Sequence, residues 1–269
     1  MTRRWRIADA DWNHWPNGLS DDESWAVMAG TGVEGVEIGV YDVRAEVGWE
    51  RVMGWDRLVA VHGLGVVALL LSLPVERWPS GALTGEPEGV AAQVRGLATV
   101  CAQRGLPVLG LWPGADLPTA SWERMTQGLA LVRDAAARTG TRLAVEYKPG
   151  TIVATSVDAL RLAADVPGTG ILLDTAHAYA VGEDPAEVVY RLGDLLWHVH
   201  LGDAGEGRAD DDLPLGQAHK FGTFIKALDD IDYDGVASFD LYGAVASGRW
   251  TGVDATRESV AHLREQGIR

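Results

Sequence analysis

The chain has 269 residues, a hydrophobic content of 47% and 33 glycines, which suits one large globular domain or two small ones. Its net charge of −15 opposes phosphate backbones and anionic lipid, so nucleic acid and membrane surfaces are poor partners. No segment approaches the roughly 18 consecutive apolar residues of a membrane span, and no apolar run follows the basic start as in a secretion signal. We therefore expect a cytoplasmic protein. The lone Cys101 is expected to be a packing residue.

Short apolar runs alternate with stretches of 3.6-residue periodicity along the whole chain, which is the pattern of βα units. The predicted strands are Arg6–Ala10, Gly35–Val40, Val66–Leu73, Pro107–Trp112, Arg142–Glu146, Gly170–Asp174, Leu196–Leu201 and Val236–Asp240. Helix signals agree with this order. Gly105 and Gly267 follow periodic stretches, and Thr155 with Asp158 three residues later forms a capping pair.

Eight such units predict a closed (β/α)8 TIM barrel of the α/β class. A doubly wound sheet is the alternative, but no glycine-rich phosphate loop follows the first strand. No linker, charge block or shift in composition marks a domain boundary, so residues 1–269 are predicted to form a single domain. Active sites in this barrel lie at the carboxyl ends of the strands.

The fifth to eighth predicted strands each end in a side chain that can bind a metal. These residues are Glu146, Asp174, His200 and Asp240. Period-2 alternation points all four inward, so they converge at the barrel mouth. Three uncompensated carboxylates there would repel one another, and a bound divalent cation removes that repulsion. The mostly oxygen donor set predicts Mn²⁺, Mg²⁺ or Co²⁺, with four unrelated ion pairs and helix caps as the alternative.

Aromatic and histidine residues near the same strand ends are candidates for substrate contact. His177 follows Asp174 by three residues, where the chain leaves the sixth strand, and packing at a helix start is its alternative role. Trp112 ends the fourth strand, and Trp12 or Trp15 follows the first. Such indoles can present an apolar wall to the C–H face of a sugar.

Three further residues each have two interpretations. Glu37 faces the same side as Gly39 and can reach a substrate hydroxyl, or it is a buried partner of a basic side chain. His14, in the loop WNHWP, is either a substrate contact at the rim or a solvent-exposed histidine. His198 lies one layer below His200 and is predicted to be a hydrogen-bonded core histidine rather than a ligand.

The segments LAVEYKP, LLDTAHA, HVHLGD and LPLGQAHKFGTFIKAL resemble, in this order, the motifs of the xylose isomerase-like sugar phosphate isomerase/epimerase family. The resemblance covers most of the chain. By similarity to the ketose 3-epimerases of that family, it implies one set of metal ligands: Glu146, Asp174, His200 and Asp240.

The same resemblance implies roles in substrate binding. His177 and Arg208 would hold substrate oxygens. The stretch EYKP also resembles the Glu-Pro-Lys-Pro segment of xylose isomerases, which implies that Lys148 approaches the substrate. In two places the chain departs from the epimerases: they usually have glutamate where this chain has Asp240, and Arg208 lies slightly further past His200 than their arginine.

Together, the residues and the resemblance predict a divalent-metal-dependent isomerase or epimerase that acts on a ketose, aldose or polyol ketone. The substrate carbonyl and its neighbouring hydroxyl would chelate the cation, and Glu146 or Asp240 would remove the proton between them. Return of the proton to a metal-bound cis-enediolate, at another carbon or face, would complete the reaction. No organic cofactor is expected.

Three alternatives remain. The first is a lyase that starts from the same proton, like the inosose and dehydroshikimate dehydratases or C-glycoside-cleaving enzymes of this family. The second is a zinc-dependent abasic-site endonuclease, but those enzymes use histidines on the third and fourth strands, where VVALLLSLP and PVLGLWPG have none. The third, an inactive binding module, would have lost a ligand. The expected partner is a small-molecule carbohydrate. Whether this substrate is phosphorylated, and whether the protein is a homo-oligomer, stays open.

Overall fold

The protein is described by a computed structural model for residues 4–40, 46–74, 76–114 and 120–268. Eight strands form a closed barrel in which each strand pairs with the next and β1 pairs with β8. All pairs are parallel. The strands are β1 Arg6–Ala10, β2 Gly35–Val40, β3 Val66–Leu71, β4 Val108–Leu111, β5 Arg142–Glu146, β6 Thr169–Asp174, β7 Leu196–Leu201 and β8 Val236–Phe239. The predicted TIM barrel is confirmed.

Helices lie between the strands. They are α1 Asp21–Ala29, α2 Glu46–His62, α3 Ala82–Gly85, α4 Pro87–Arg104, α5 Trp122–Ala137, α6 Ser156–Asp165, α7 Thr175–Ala180, α8 Pro185–Leu192, α9 Gly222–Asp230, α10 Tyr242–Ala246 and α11 Gly252–Glu265, with 3-10 helices at Asp11–Asn17 and Gly193–Leu195. The predicted capping box at Thr155 and Asp158 is present. Gly105 ends α4 in the left-handed region, with a φ of 71°. In the described part of the chain, no helix is both long enough and apolar enough to cross a bilayer.

Three predicted strands extend one or two residues beyond the paired region at their carboxyl ends. β3 ends at Leu71 rather than Leu73, β4 at Leu111, and β8 at Phe239. The residues directly after the last two strands are still anchored, because the Trp112 amide donates to the Leu71 carbonyl and the Asp240 amide donates to that of Leu201. β4 also begins one residue late, because Pro107 has no amide proton to donate. These small shifts leave every strand in its predicted place.

The two faces of the strands carry different residues. Outward-facing side chains such as Leu71, Val145 and Leu173 belong to the main core between barrel and helices. The inside contains a smaller apolar cluster that includes Ala144 and Leu172, the residues two positions before Glu146 and Asp174. Alternation therefore places the polar strand-end residues one layer above these apolar side chains, as the period of two predicts. Cys101 is buried and unpaired within α4, consistent with a packing role.

Candidate active site

The carboxyl ends of β5 to β8 bring four ionisable side chains together. One potential ligand atom from each of Glu146, Asp174, His200 and Asp240 lies within 4.8 Å of the others. Nδ1 of His200 is 3.4 Å from Oε1 of Glu146, 3.7 Å from Oδ2 of Asp240 and 3.9 Å from Oδ2 of Asp174. A single imidazole nitrogen thus faces three carboxylates.

Strand register sets the depth of each member of this cluster. Asp174 on β6 is the register partner of His200 on β7, and both side chains are almost completely buried. His200 pairs in turn with Ser238 on β8, so Asp240 lies two residues closer to the rim. The Asp240 side chain is accordingly 17% exposed. The cluster has a buried floor and one carboxylate at the opening.

Two atoms of this cluster lack hydrogen-bond partners. Oδ2 of Asp174 and Nδ1 of His200 are both buried and unpaired. A buried polar atom without a partner costs about 1–3 kcal/mol, so two such atoms side by side are a poor arrangement for stability alone. A divalent cation would satisfy both. Three carboxylates and one imidazole suit a cation such as Mn²⁺, Mg²⁺, Co²⁺ or Zn²⁺.

The crowding separates the pKa values of the carboxylates. Burial, together with the charges of Glu146 and Asp240, raises the pKa of Asp174 to about 8. Burial also acts to raise the pKa of Glu146, but His200 and His177 outweigh it and hold that pKa at about 2. Glu146 is therefore ionised at neutral pH and can accept a proton.

The 3-10 helix after β1 positions Asp240. Nε1 of Trp12 donates to Oδ1 of Asp240 at 2.9 Å. The side chain of Asn13 brackets the same residue, because it donates to the Phe239 carbonyl and accepts from the Leu241 amide, each at 2.8 Å. Asp240 follows its strand directly and is held on both sides as well as through its own carboxylate. The sequence did not reveal this role of Asn13.

A cavity of about 460 Å³ opens above the cluster and reaches Glu146 and Asp240. Trp12 and Trp112 line it, as the sequence predicted for apolar walls. Gly39 allows the Trp12 ring to lie against β2, because a Cβ at this position would come within 2.7 Å of the ring. The cavity therefore combines carboxylates at one end with indole rings at the side, which suits a ligand with both hydroxyl and C–H faces.

Lys148 also lines the cavity, where the resemblance to xylose isomerases placed it. Its Nζ is 2.8 Å from Oδ1 of Asp210 and 5.9 Å from the centre of a Trp112 ring. Burial acts to lower the pKa of Lys148, but Glu146 and Asp210 outweigh it and raise that pKa above its usual range. The ammonium group is therefore charged and already paired.

His177 lies beside the cluster. Its Nδ1 is 3.4 Å from Oε1 of Glu146 and 3.3 Å from the Tyr147 carbonyl oxygen, while its backbone amide donates to Oδ1 of Asp174. Burial lowers the pKa of His177 to about 4, so the ring is neutral at pH 7. His177 thus orders two of the candidate ligands from the first turn of α7.

Four predicted substrate contacts are not among the described residues that line the cavity: His177, which lies beside the cluster, and Glu37, His14 and Arg208. Glu37 is fully buried against two histidines, because it lies three residues before the end of β2, one layer below the strand ends. His14 is also fully buried, with Nε2 3.0 Å from Oδ2 of Asp9, because the expected loop is a packed 3-10 helix. Arg208 has a side chain that is 69% exposed, and it faces Asp211. For Glu37 the structure shows the second of its two interpretations, a buried partner of basic side chains. For His14 it shows neither a substrate contact at the rim nor a solvent-exposed histidine, and that prediction is corrected.

His198 is confirmed as a hydrogen-bonded core histidine, since its Nε2 lies 2.8 Å from Oε2 of Glu37.

Two aspartates that were not predicted from the sequence, Asp210 and Asp212, both line the cavity. Asp212 is 7% exposed, and its Oδ2 accepts a hydrogen bond from the Gly243 amide. Burial and the charges of Asp240 and Asp174 raise the pKa of Asp212 well above its usual value. The signal was present, because the acidic run DDD follows β7 on the active-site side.

A family model for the xylose isomerase-like TIM barrel matches residues 25–266. The chain belongs to this family. Among curated proteins, it is 32% identical over 93 residues to an inosose dehydratase from Lacticaseibacillus casei, a match that covers 34% of this chain and 31% of the dehydratase. The chain thus matches about a third of that relative's length.

Solved structures of the same fold match almost end to end. A D-allulose 3-epimerase from Methylomonas sp. in complex with D-allulose has a TM-score of 0.76 at 20% identity, with 98% of each chain covered. The IOLI protein with a bound zinc atom has a TM-score of 0.73 at 17% identity, with 97% of each chain covered. At these identities the likeness establishes the barrel fold alone.

Proposed function

We propose that the protein is a divalent-metal-dependent isomerase or epimerase of a ketose, aldose or polyol ketone. The observation that carries this proposal is that two buried atoms of the cluster, Asp174 Oδ2 and His200 Nδ1, have no hydrogen-bond partner. They lie within a cluster of three carboxylates and one imidazole. That cluster lies at the base of a cavity with indole walls. Glu146, Asp174, His200 and Asp240 would hold the ion, and Mn²⁺ is the first candidate. A cytoplasmic location and the lack of an organic cofactor stay predictions.

When bound, a divalent cation would polarise a substrate carbonyl and thereby acidify the neighbouring C–H bond. Glu146, ionised at neutral pH, accepts that proton and can return it to another carbon. Asp240, at the rim and held by Trp12, is the second candidate for proton transfer. Trp12 and Trp112 pack against the C–H face of the substrate, and Lys148 donates to a substrate oxygen.

The charges around the cavity favour an uncharged substrate. Four carboxyl groups, those of Glu146, Asp210, Asp212 and Asp240, line it, and Lys148 is the one cationic side chain among the lining residues that the structure describes. Lys148 is already paired with Asp210 at 2.8 Å. A bound divalent cation and Lys148 would offset the charges of Glu146, Asp210 and Asp240, which leaves no unpaired positive group to bind a phosphate dianion, whereas a free sugar or cyclitol needs none. The proposed substrate is therefore unphosphorylated.

Elimination is the second candidate, and two observations favour it. A curated relative that the chain matches over about a third of its length is an inosose dehydratase. In addition, the cavity contains Asp212, a carboxyl outside the four-residue cluster whose raised pKa suits an acid. Such an acid can donate a proton to a departing hydroxyl after Glu146 has taken the proton beside the carbonyl. The two reactions differ in product mass, because dehydration releases water.

One experiment tests these proposals together. The protein, loaded with Mn²⁺, is incubated in D₂O with free ketoses, aldoses and inososes and with the phosphate esters of the same sugars. NMR and mass spectrometry then read the products. For isomerisation or epimerisation we expect an unphosphorylated product that keeps the elemental composition of the substrate and carries deuterium beside its carbonyl, whereas dehydration gives a product that has lost one water. Transfer of the substrate's own hydrogen without exchange would instead indicate a hydride shift, and turnover of the esters alone would contradict the uncharged substrate.

A further inference from the structure

A second polar layer lies directly beneath the four-residue cluster. It consists of Glu37 on β2 and His198 on β7, which are 0% and 2% exposed. Oε2 of Glu37 is 2.8 Å from Nε2 of His198, and Oε1 of Glu37 is 3.4 Å from Nε2 of His200. One carboxylate therefore connects the deeper histidine to the histidine of the cluster.

This contact determines which nitrogen of His200 is free. Nε2 faces Glu37, which as a carboxylate can only accept a hydrogen bond, so Nε2 carries a proton. Nδ1 has no hydrogen-bond partner and faces Glu146, Asp174 and Asp240. An imidazole whose Nε2 donates to a carboxylate presents the Nδ1 lone pair to a metal in a fixed direction.

We propose that Glu37 is the positioning residue for His200 as a metal ligand, and that His198 fixes the Glu37 carboxylate in turn. His198 approaches from the same strand as His200, and their rings meet edge to face with centroids 5.3 Å apart. Glu37 cannot rotate away without giving up the 2.8 Å contact to His198. The inference rests on the proposed metal site but not on the identity of the reaction.

A second metal ion in this layer is the competing interpretation, because Glu37, His198 and His200 also offer three potential ligand atoms close together. The hydrogen bonding argues against it. Among these three residues, the one buried side-chain atom without a partner is Nδ1 of His200, which faces the upper cluster. The Glu37 carboxylate already has both histidines as hydrogen-bond partners. This layer therefore supports the metal ligand His200 and does not form a second metal site.

The test is the affinity of the full-length protein for Mn²⁺, measured by competition with a chelator for wild type, Glu37→Gln and His198→Asn. Loss of a carboxylate that supports a ligating histidine typically weakens metal binding about 10–100-fold, and we expect a loss in this range for Glu37→Gln. His198→Asn should give a smaller loss in the same direction. Asp203→Asn is the matched control, because Asp203 is a fully buried carboxylate 2.7 Å from His219 Nδ1 and outside the cluster.

A second readout separates positioning from general destabilisation. In wild type loaded with Zn²⁺, a long-range ¹H–¹⁵N spectrum should show His200 protonated at Nε2 and coordinated through Nδ1. Glu37→Gln should change these shifts, while Asp203→Asn should lower the melting temperature and leave them intact. If Glu37→Gln does not fold, His198→Asn provides the same comparison.

Three results would overturn the inference. They are an unchanged Mn²⁺ affinity in both folded variants, a loss no greater than that of Asp203→Asn, or two tightly bound ions per wild-type chain of which Glu37→Gln removes one. If wild type itself binds no metal, the proposed metal site fails instead. The two failures are therefore distinguishable.

Discussion

Two fully buried aspartates, Asp9 and Asp174, have very different surroundings. Asp9 on β1 accepts hydrogen bonds from the side chains of Asn13, His14 and Thr256, at 2.8 to 3.0 Å. Asp174 accepts one hydrogen bond from a backbone amide, while its second oxygen has no partner and faces other carboxylates. Burial alone therefore does not identify a functional acid. A shortage of donors around a buried charge does.

Replacement of the proposed base should have the largest effect on activity. Glu146→Gln preserves the shape of the side chain but cannot accept a proton, so we expect kcat to fall by about 10²–10⁴-fold, the range for loss of general acid–base catalysis. This loss of activity should be far larger than the effect of the substitution on folding. Steady-state kinetics on the substrate found in the D₂O screen measures this. Activity within a few-fold of wild type would remove Glu146 from proton transfer.

Replacement of the two aspartates by asparagine should change the free energy of unfolding in opposite directions, because their surroundings differ. Asp9→Asn removes an acceptor that three donors use, and we expect a loss of about 1–3 kcal/mol in the free energy of unfolding. In metal-free protein, Asp174→Asn removes like-charge repulsion, so the free energy of unfolding should increase, while Mn²⁺ affinity falls. Urea denaturation with EDTA present provides both numbers. Equal losses for the two variants would show that Asp174 is a structural acid like Asp9.

The stability of the metal-free protein should depend on pH in an unusual direction. Burial and neighbouring carboxylates raise the pKa of Asp174 to about 8 from its ordinary value of 3.8. Between these values the folded state binds a proton that the unfolded state has released. Stability therefore decreases as pH rises through this range. The His200 pKa is also raised, because Glu37 and Glu146 outweigh the effect of burial, and it contributes with the same sign.

Thermal unfolding from pH 6 to pH 9, with EDTA and with Mn²⁺, measures this dependence. We expect the melting temperature to fall with pH when EDTA is present, and the fall to be reduced in Asp174→Asn and in the Mn²⁺-loaded protein. A metal-free melting temperature that stays level or rises over this range would contradict the assigned repulsion.

The smallest expected effect concerns Asp240, which is shorter than the glutamate that ketose 3-epimerases usually have there. A ligand that follows a rigid strand and is held by Trp12 and Asn13 cannot easily make up one methylene, and proton transfer requires approach to about 3 Å. Asp240→Glu should retain the metal and increase deuterium exchange on the second face of the carbon, whereas Asp240→Asn should weaken metal binding. Rapid two-face exchange by wild type, with no gain in Asp240→Glu, would contradict the expectation that Asp240 is too short to serve well as the second base.

The barrel and the four-residue cluster were predictable because both follow from local periodicity. Alternation along β5 to β7 decides which side chains point inward, and strand ends decide which of them reach the mouth. The two interpretations of Glu37 could not be separated from the sequence, because the depth of this side chain depends on the register between β1 and β2, where Glu37 pairs with Ala10. Asp212 was missed because its burial depends on the loop after β7, which folds back through the bridge between Asp203 and Leu213.

The most direct test of the account is the metal itself. Purified protein is analysed for bound metal by mass spectrometry, and its melting temperature is measured before and after EDTA and again after addition of Mn²⁺. We predict one tightly bound divalent ion per chain, a lower melting temperature at pH 8 after chelation, and recovery with Mn²⁺. A chain without bound metal, whose stability responds neither to EDTA nor to Mn²⁺, would contradict the central claim.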